Sequence, residues 1–114
     1  MTTKEFIESQ NLAGGIIQYS ENGIIYRALI EGVETNRTVI KIKLQWSEVL
    51  NSAKRQWEFF EKPAITIAIA KDFFACHETP DGRIRIAAPY YGSAIITPKN
   101  KLPIEQQTAL AQRY

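Results

Sequence analysis

One stretch of the sequence combines side chains that could bind a metal or attack a substrate, namely Cys76, His77 and Glu78. Consecutive residues of a strand alternate between its faces, so Cys76 and Glu78 would share one face while His77 points away from them. Side chains placed in this way cannot surround a metal ion, and a Cys–His nucleophilic pair needs the two groups to converge. The sequence therefore predicts a buried cysteine and an exposed histidine, with no metal site and no cofactor.

The other candidates for catalysis are carboxylates, chiefly Asp72 and Asp81. Asp81 has a structural explanation, because the segment 79–82, Thr-Pro-Asp-Gly, is typical of a turn. The sequence contains no glycine-rich phosphate-binding motif, no G-x-S-x-G elbow and no H-E-x-x-H motif. We therefore lean towards a protein without catalysis and name no catalytic residue, while a site made of carboxylates alone stays open as the alternative.

Length and composition place these residues in a single small domain, 1–114. The chain has 114 residues, of which 45% are hydrophobic and 23% are charged, and its net charge is +2. These values are close to the globular average, and no segment has the ~20 apolar residues that a membrane helix requires. The single cysteine excludes an internal disulfide, and the N-terminus lacks the features of a signal peptide. We expect a cytoplasmic protein with no membrane partner.

The spacing of apolar residues predicts a helix, three strands and a second helix in the first half of the chain. The first helix covers about 3–12, and the strands cover 16–20, 24–31 and 38–45. Asn22-Gly23 favours a type I′ hairpin between the first two strands. In the third strand, Ile40, Ile42, Leu44 and Trp46 are expected to point the same way. The second helix is predicted from apolar residues at spacings of three and four, with Ser47 as its N-cap and Pro63 as its stop. That apolar stripe consists of Trp46, Val49, Leu50, Ala53, Trp57 and Phe60.

The second half is predicted to return to strands and to end in a helix. Strands are expected over 64–70, 73–78, 83–88 and 91–97, although 64–78 could be one bent strand or two. Pro103 favours the start of a last helix that runs to about residue 113. The predicted fold is α+β, a mainly antiparallel sheet of about six to seven strands with three helices in the order α-βββ-α-ββββ-α.

The excess of basic over acidic residues is concentrated in residues 35–56, which have a net charge of +4. Arg37, Lys41 and Lys43 would follow one face of the third strand, where they could track a nucleic-acid backbone together with Lys54 and Arg55. The alternative is a solvated face whose lysines protect an edge strand. The predicted α-β-β-β-α order of the first 61 residues resembles a double-stranded RNA-binding domain. The second helix of that family begins with a lysine cluster that is absent here, so no function is transferred.

Aromatic residues suggest two further surfaces. Tyr90 and Tyr91 follow a proline, and together with Arg83 and Arg85 they could stack on a base or nucleotide ring. Phe59 falls beside the predicted helical stripe and could contact a second subunit. In each case, ordinary packing inside the domain is the competing interpretation.

Taken together, the sequence favours a small, non-catalytic intracellular binding protein that acts through protein–protein contacts, as an adaptor or inhibitor, and that forms a homodimer. One alternative is a nucleic-acid-binding protein that uses the basic face 37–55. Another is a binder of small molecules or nucleotides. The residues assigned to ligand or partner binding are Tyr90, Tyr91, Arg83, Arg85 and Phe59.

Overall fold

A computed structural model describes residues 7, 10–68, 75–88 and 92–114. They form eight strands, then a 3₁₀ turn over Lys99–Lys101 and one α-helix, α1, over Ile104–Ala111. The strands are β1 Ile16–Glu21, β2 Ile24–Thr35, β3 Val39–Asn51, β4 Gln56–Phe59, β5 Ala64–Ala68, β6 Ala75–Glu78, β7 Ile84–Ala88 and β8 Gly92–Thr97. Among the described residues, no helix is long and apolar enough to cross a membrane.

All eight strands belong to one antiparallel sheet, in which seven follow the order β4-β3-β2-β1-β8-β7-β6 and β5 pairs with β3. The long strand β3 pairs with β2 along one edge. Along its other edge it pairs with β4 near its end and with β5 near its start. Between these two pairings, the Phe60 amide donates to the Ser47 carbonyl and the Leu44 amide to the Pro63 carbonyl, both at 2.9 Å. The segment 56–68 therefore follows β3 as one interrupted strand.

The two faces of the sheet are buried in different ways. One face, which we call the core face, carries the main hydrophobic cluster, and Ile7 and Leu12 pack against it. Its strand members include Ile17, Tyr19, Ala28, Ile30, Ile40, Ile42, Leu44, Ile65, Ile84, Ile86 and Ile96. The opposite face, which we call the helix face, packs against α1. There Leu110 contacts Leu29 and Trp46, while Ile16 and Leu102 lie at the margin of the cluster.

The first of two irregularities in the β2–β3 ladder decides which side chains of β3 reach the helix face. Leu29 lies opposite Trp46, but Ile30 lies opposite Leu44, so Gln45 is an extra residue on β3. An extra residue shifts the alternation of side chains by one position. As a result Leu44 packs in the core, whereas Trp46 packs on the other face against Leu110. The prediction that Trp46 continues the row of Ile40, Ile42 and Leu44 is wrong for this reason.

The predicted second helix is also wrong, and with it the three-helix α+β fold. Residues 46–60 continue β3, turn over 52–55 and return as β4. The apparent helical spacing combines residues from both faces of the β3–β4 hairpin, since Trp46 and Trp57 lie on the helix face while Val49 points the other way. Ser47 is a buried strand residue instead of an N-cap. The observed fold is a mainly antiparallel sheet with one α-helix among the described residues, and the order of elements differs accordingly.

Several local predictions are confirmed. Asn22 and Gly23 have φ values of 53° and 78°, as a type I′ hairpin requires. The segment 79–83 closes the β6–β7 hairpin, and α1 begins directly after Pro103. Residues 64–68 and 75–78 are two separate strands on different neighbours, β3 and β7. Most of the predicted first helix, 3–12, lies outside the described residues.

Candidate functional site

A row of side chains crosses the helix face just beyond the part that α1 covers. The register of the ladders places Phe59, Glu48, Arg27, Gln18, Ile95 and Arg85 side by side on six neighbouring strands. We call these residues the open row. Each strand spacing is ~4.8 Å, so the row extends ~24 Å from β4 to β7. It is therefore long enough to contact a macromolecule.

Glu48 is the buried member of the open row to which several other side chains bind. It is fully buried, with a side-chain exposure of 0%. Its Oε1 atom accepts a hydrogen bond from Arg27 Nε at 2.7 Å, and its Oε2 atom lies 3.1 Å from Arg113 Nη2. The Tyr114 hydroxyl donates to the same Oε2 atom at 2.5 Å. A buried carboxylate with two guanidinium groups and a hydroxyl around it is well satisfied, so it can hold the segment that follows α1 on the sheet.

Aromatic rings surround this carboxylate. The Arg27 guanidinium carbon lies 4.2 Å from the centre of the Trp57 ring. The Tyr114 ring contacts Phe59 at 5.0 Å and Trp46 at 5.8 Å between centroids. We call Arg27, Trp57, Phe59, Arg113 and Tyr114 the aromatic–arginine cluster. Phe59 is 56% exposed and Tyr114 is 65% exposed, so both rings face solvent. Their positions are nevertheless fixed, because the rings contact each other and the Tyr114 hydroxyl bonds to the buried Glu48.

The electrostatics of the cluster follow from the Glu48 carboxylate. The hydrogen bond to Glu48 is the main cause that raises the pKa of Tyr114, because ionising the hydroxyl would place a second negative charge beside the carboxylate. Tyr114 therefore stays protonated and donating at neutral pH. Two arginines share one carboxylate, which leaves the cluster with a net positive charge.

Two arginines lie at the other end of the open row, and one of them is paired with a carboxylate. Arg85 lies opposite Ile95 on the helix face, and Arg83 precedes it in the chain. Arg83 lines a cavity of about 280 Å³ together with Ile16, Gln18 and Ile95. Its Nε atom is 2.8 Å from Asp81 Oδ2. The structure thus places three of the predicted partner-binding residues, Arg83, Arg85 and Phe59, on one face. The other two, Tyr90 and Tyr91, lie outside the described residues.

The predicted basic surface is divided. Lys41 and Lys43 lie on β3, and Arg37 lies in the preceding turn. Lys54 and Arg55 lie in the turn at the far end of the same strand, ~35 Å away along an extended chain from Lys41. Lys43 forms an ion pair with Glu34 at 2.6 Å, and this bond raises the pKa of Lys43 and lowers the pKa of Glu34. The five residues are not brought into one patch.

The residues suspected of metal binding lie at the end of the sheet. Cys76, His77 and Glu78 belong to β6, where His77 lies opposite Arg85 in the ladder. Within the part of the chain that the structure describes, no three His, Cys, Asp or Glu residues form a group that could hold a metal ion.

Sequence reasoning missed Arg27, Glu48, Trp57, Arg113 and Tyr114. Glu48 and Trp57 fall in the predicted second helix, and Arg113 and Tyr114 lie 65 and 66 positions beyond Glu48. The one available signal was the repeated combination of arginine with aromatic residues, which does not say which pairs meet. No protein-family model, no curated protein and no solved structure matches this chain. The geometry of the face is therefore the evidence from which a function is inferred.

Proposed function

We propose that this chain is a non-catalytic binding protein that recognises another protein through the open row and the aromatic–arginine cluster. The observation that carries the proposal is the exposure of Phe59 and Tyr114 above a buried Glu48. Exposed large rings that are already fixed lose little conformational freedom on binding, which favours affinity.

The composition of the cluster supports a protein partner. Tryptophan, tyrosine and arginine are the residues that most often dominate the energy of protein interfaces. Here Arg27 lies over the Trp57 ring and Arg113 lies near the Tyr114 ring, and Glu48 pairs with both arginines. The half-buried Leu50 and the exposed Ile25 neighbour them on the adjacent strands and extend the apolar surface.

Nucleic-acid binding is supported less well by the same structure. The strand lysines and the turn residues Lys54 and Arg55 lie at opposite ends of β3, and Lys43 is neutralised by Glu34. Binding to a phosphate backbone depends on several cations that act together. The exposed apolar rings favour a protein surface instead.

The test is affinity capture from the cells that produce the protein, with wild type and two variants compared quantitatively. Trp57→Ala removes the ring beneath Arg27, and Ile104→Ala truncates a residue of α1 that is 79% exposed and lies outside the cluster. We expect a protein that is recovered by wild type and by Ile104→Ala, and at least ~10-fold less by Trp57→Ala. Equal recovery by all three proteins, or no recovery by any, would refute the proposal.

A second measurement distinguishes nucleic-acid binding from binding to a protein partner. Fluorescence anisotropy with a labelled single-stranded oligonucleotide at low salt should show no binding that depends on Lys41 and Lys43. Tight, salt-sensitive binding that is lost in Lys41→Glu/Lys43→Glu would favour that alternative over a protein partner.

A further inference from the structure

The edge strand β5 is open to pairing with a further strand. Among the described strands it pairs with β3 alone, so its other edge, which we call the free edge, has no strand partner there. Natural sheet edges are commonly protected by charged residues or by proline within the strand. Residues 64–68, Ala-Ile-Thr-Ile-Ala, contain neither, whereas the edge strands β4 and β6 carry Glu58 and Glu78. Thr66, at the centre of β5, is exposed.

The pairing of β5 with β3 shows which backbone groups reach the free edge. The Leu44 amide donates to the Pro63 carbonyl at 2.9 Å, so the backbone of Pro63 faces β3. Along an antiparallel strand, residues that bond to one neighbour alternate with residues that bond to the other. The residues whose N–H and C=O groups point to the free edge are therefore Ala64, Thr66 and Ala68. None of these is a proline, so the free edge can form a complete ladder.

The sequence of β5 is the same when it is read in either direction, with Thr66 at its centre. When two copies of β5 pair antiparallel about a two-fold axis at Thr66, each position therefore lies opposite a residue of its own type. The same register satisfies the backbone. Thr66 of one copy exchanges two hydrogen bonds with Thr66 of the other, and Ala64 of each copy does so with Ala68 of the other, which makes about six in total.

We infer that this chain forms a two-fold symmetric dimer in which the β5 strands of two copies pair antiparallel, centred on Thr66. A second copy is the occupant of the free edge because both the residue types and the backbone hydrogen bonds of β5 are self-complementary. The five residues of each strand make a small interface, so we expect a dissociation constant in the micromolar range. The contact uses an edge of the sheet and neither face, so it is independent of the proposed function.

Sedimentation velocity between ~1 and ~500 µM tests the inference with wild type and two variants of the full chain. Thr66→Glu places two carboxylates directly opposite each other in the dimer, whereas within one copy it places a carboxylate opposite Lys41. The variant should therefore unfold in urea no more easily than wild type, while its dimer dissociates at least ~10-fold more readily. The matched control Thr66→Val keeps the branched shape without a charge, and its dissociation constant should stay within ~3-fold of wild type.

Cross-linking tests the register independently of the charged variant. Thr66→Cys and the control Thr108→Cys, which alters an exposed threonine of α1, are each made in a Cys76→Ser background. A short bismaleimide reagent should link two copies of Thr66→Cys at concentrations where wild type is dimeric, and it should not link Thr108→Cys. Circular dichroism of each variant shows whether it is folded, and the cross-link decides the question if Thr66→Glu is not.

Four results would overturn the inference. Wild type could remain monomeric over the whole concentration range. A dimer could persist in Thr66→Glu or be lost in Phe59→Ala, which would place the contact elsewhere. Thr66→Cys and Thr108→Cys could cross-link equally, which would exclude this register. A monomeric wild type could capture a different protein that Thr66→Glu does not capture, which would assign the free edge to that protein.

Discussion

Replacing Glu48 by glutamine is the sharpest test of the arrangement on the helix face. The substitution keeps the size of the side chain but removes the charge that two arginines share. It also turns an amide NH₂ towards a guanidinium group, where a donor meets a donor. The hydrogen bonds from Arg27 and Tyr114 and the ion pair with Arg113 are all weakened by this single change.

The expected loss follows from the exposure of each partner. A hydrogen bond to a charged group contributes ~1.5–3 kcal/mol, so the two from Arg27 and Tyr114 set an upper bound of ~6 kcal/mol, to which the partly exposed Arg113 ion pair adds up to ~1 kcal/mol. Arg27 is 23% exposed and Arg113 is 39% exposed, so both can be hydrated again once the carboxylate is gone. We therefore expect Glu48→Gln to lower the free energy of unfolding by ~2–4 kcal/mol, which corresponds to roughly 10 °C in Tm.

The assay is urea unfolding followed by tryptophan fluorescence, with Glu58→Gln as the matched control. Glu58 lies on β4, is exposed and accepts one hydrogen bond, from Asn51. We expect its replacement to change stability by less than ~0.5 kcal/mol. If the two variants were equally stable, the carboxylate of Glu48 would not hold the cluster and the reasoning from its burial would be refuted.

Four further predictions concern other parts of the molecule. Gly15→Ala should destabilise strongly, by more than ~2 kcal/mol in urea unfolding, because its Cβ would lie 2.8 Å from the Thr97 carbonyl oxygen. Gly23→Ala has free space but a φ of +78°, so we expect a cost of ~1 kcal/mol by the same assay. Lys43→Met should change thermal stability by less than ~0.5 kcal/mol, since its ion pair is solvent-exposed. Burial is the main cause that raises the pKa of Tyr19 to about 12. The folded protein holds the hydroxyl proton of Tyr19 more tightly than the unfolded chain does. The resulting contribution to the free energy of unfolding is therefore complete below pH ~10. It is lost as the pH rises towards 12, by up to ~3 kcal/mol. Urea unfolding between pH 9 and 11.5 should show a smaller alkaline loss in Tyr19→Phe, and an unchanged loss would contradict this account.

The sequence was sufficient to predict those elements whose conformation depends only on a short segment of the chain. Asn22-Gly23 tolerates positive φ at both positions, and Pro103 begins a helix at little cost, so both elements were predicted correctly. The alternation of Ile40, Ile42 and Leu44 likewise identified a strand with one buried face. These features depend on neighbours in the chain, which a sequence displays directly.

The binding face could not be predicted in the same way. The extra residue Gln45 shifts the alternation of side chains, so the residues of β3 that follow it lie on the opposite faces from those that a regular strand would give them. Nothing in the side chain of Gln45 marks it as a bulge. Once that alternation is misread, Trp46, Val49 and Trp57 fit a helical stripe, and Glu48 falls on an exposed surface. It is covered by Arg113 and Tyr114, which the packing of α1 on the sheet brings to it from 65 and 66 positions further along the chain.

The sequence by itself determined the hairpin turns, the last helix and the absence of recognisable catalytic motifs, because these depend on residue type and short-range geometry. The tertiary structure alone decided that a buried carboxylate joins β2, β3 and the end of the chain, and that Phe59 and Arg85 lie on one face. The physical reason is that strand register and bulges fix which side of a sheet each residue occupies. Register is set by pairing between distant segments, and the order of residues along the chain does not display it.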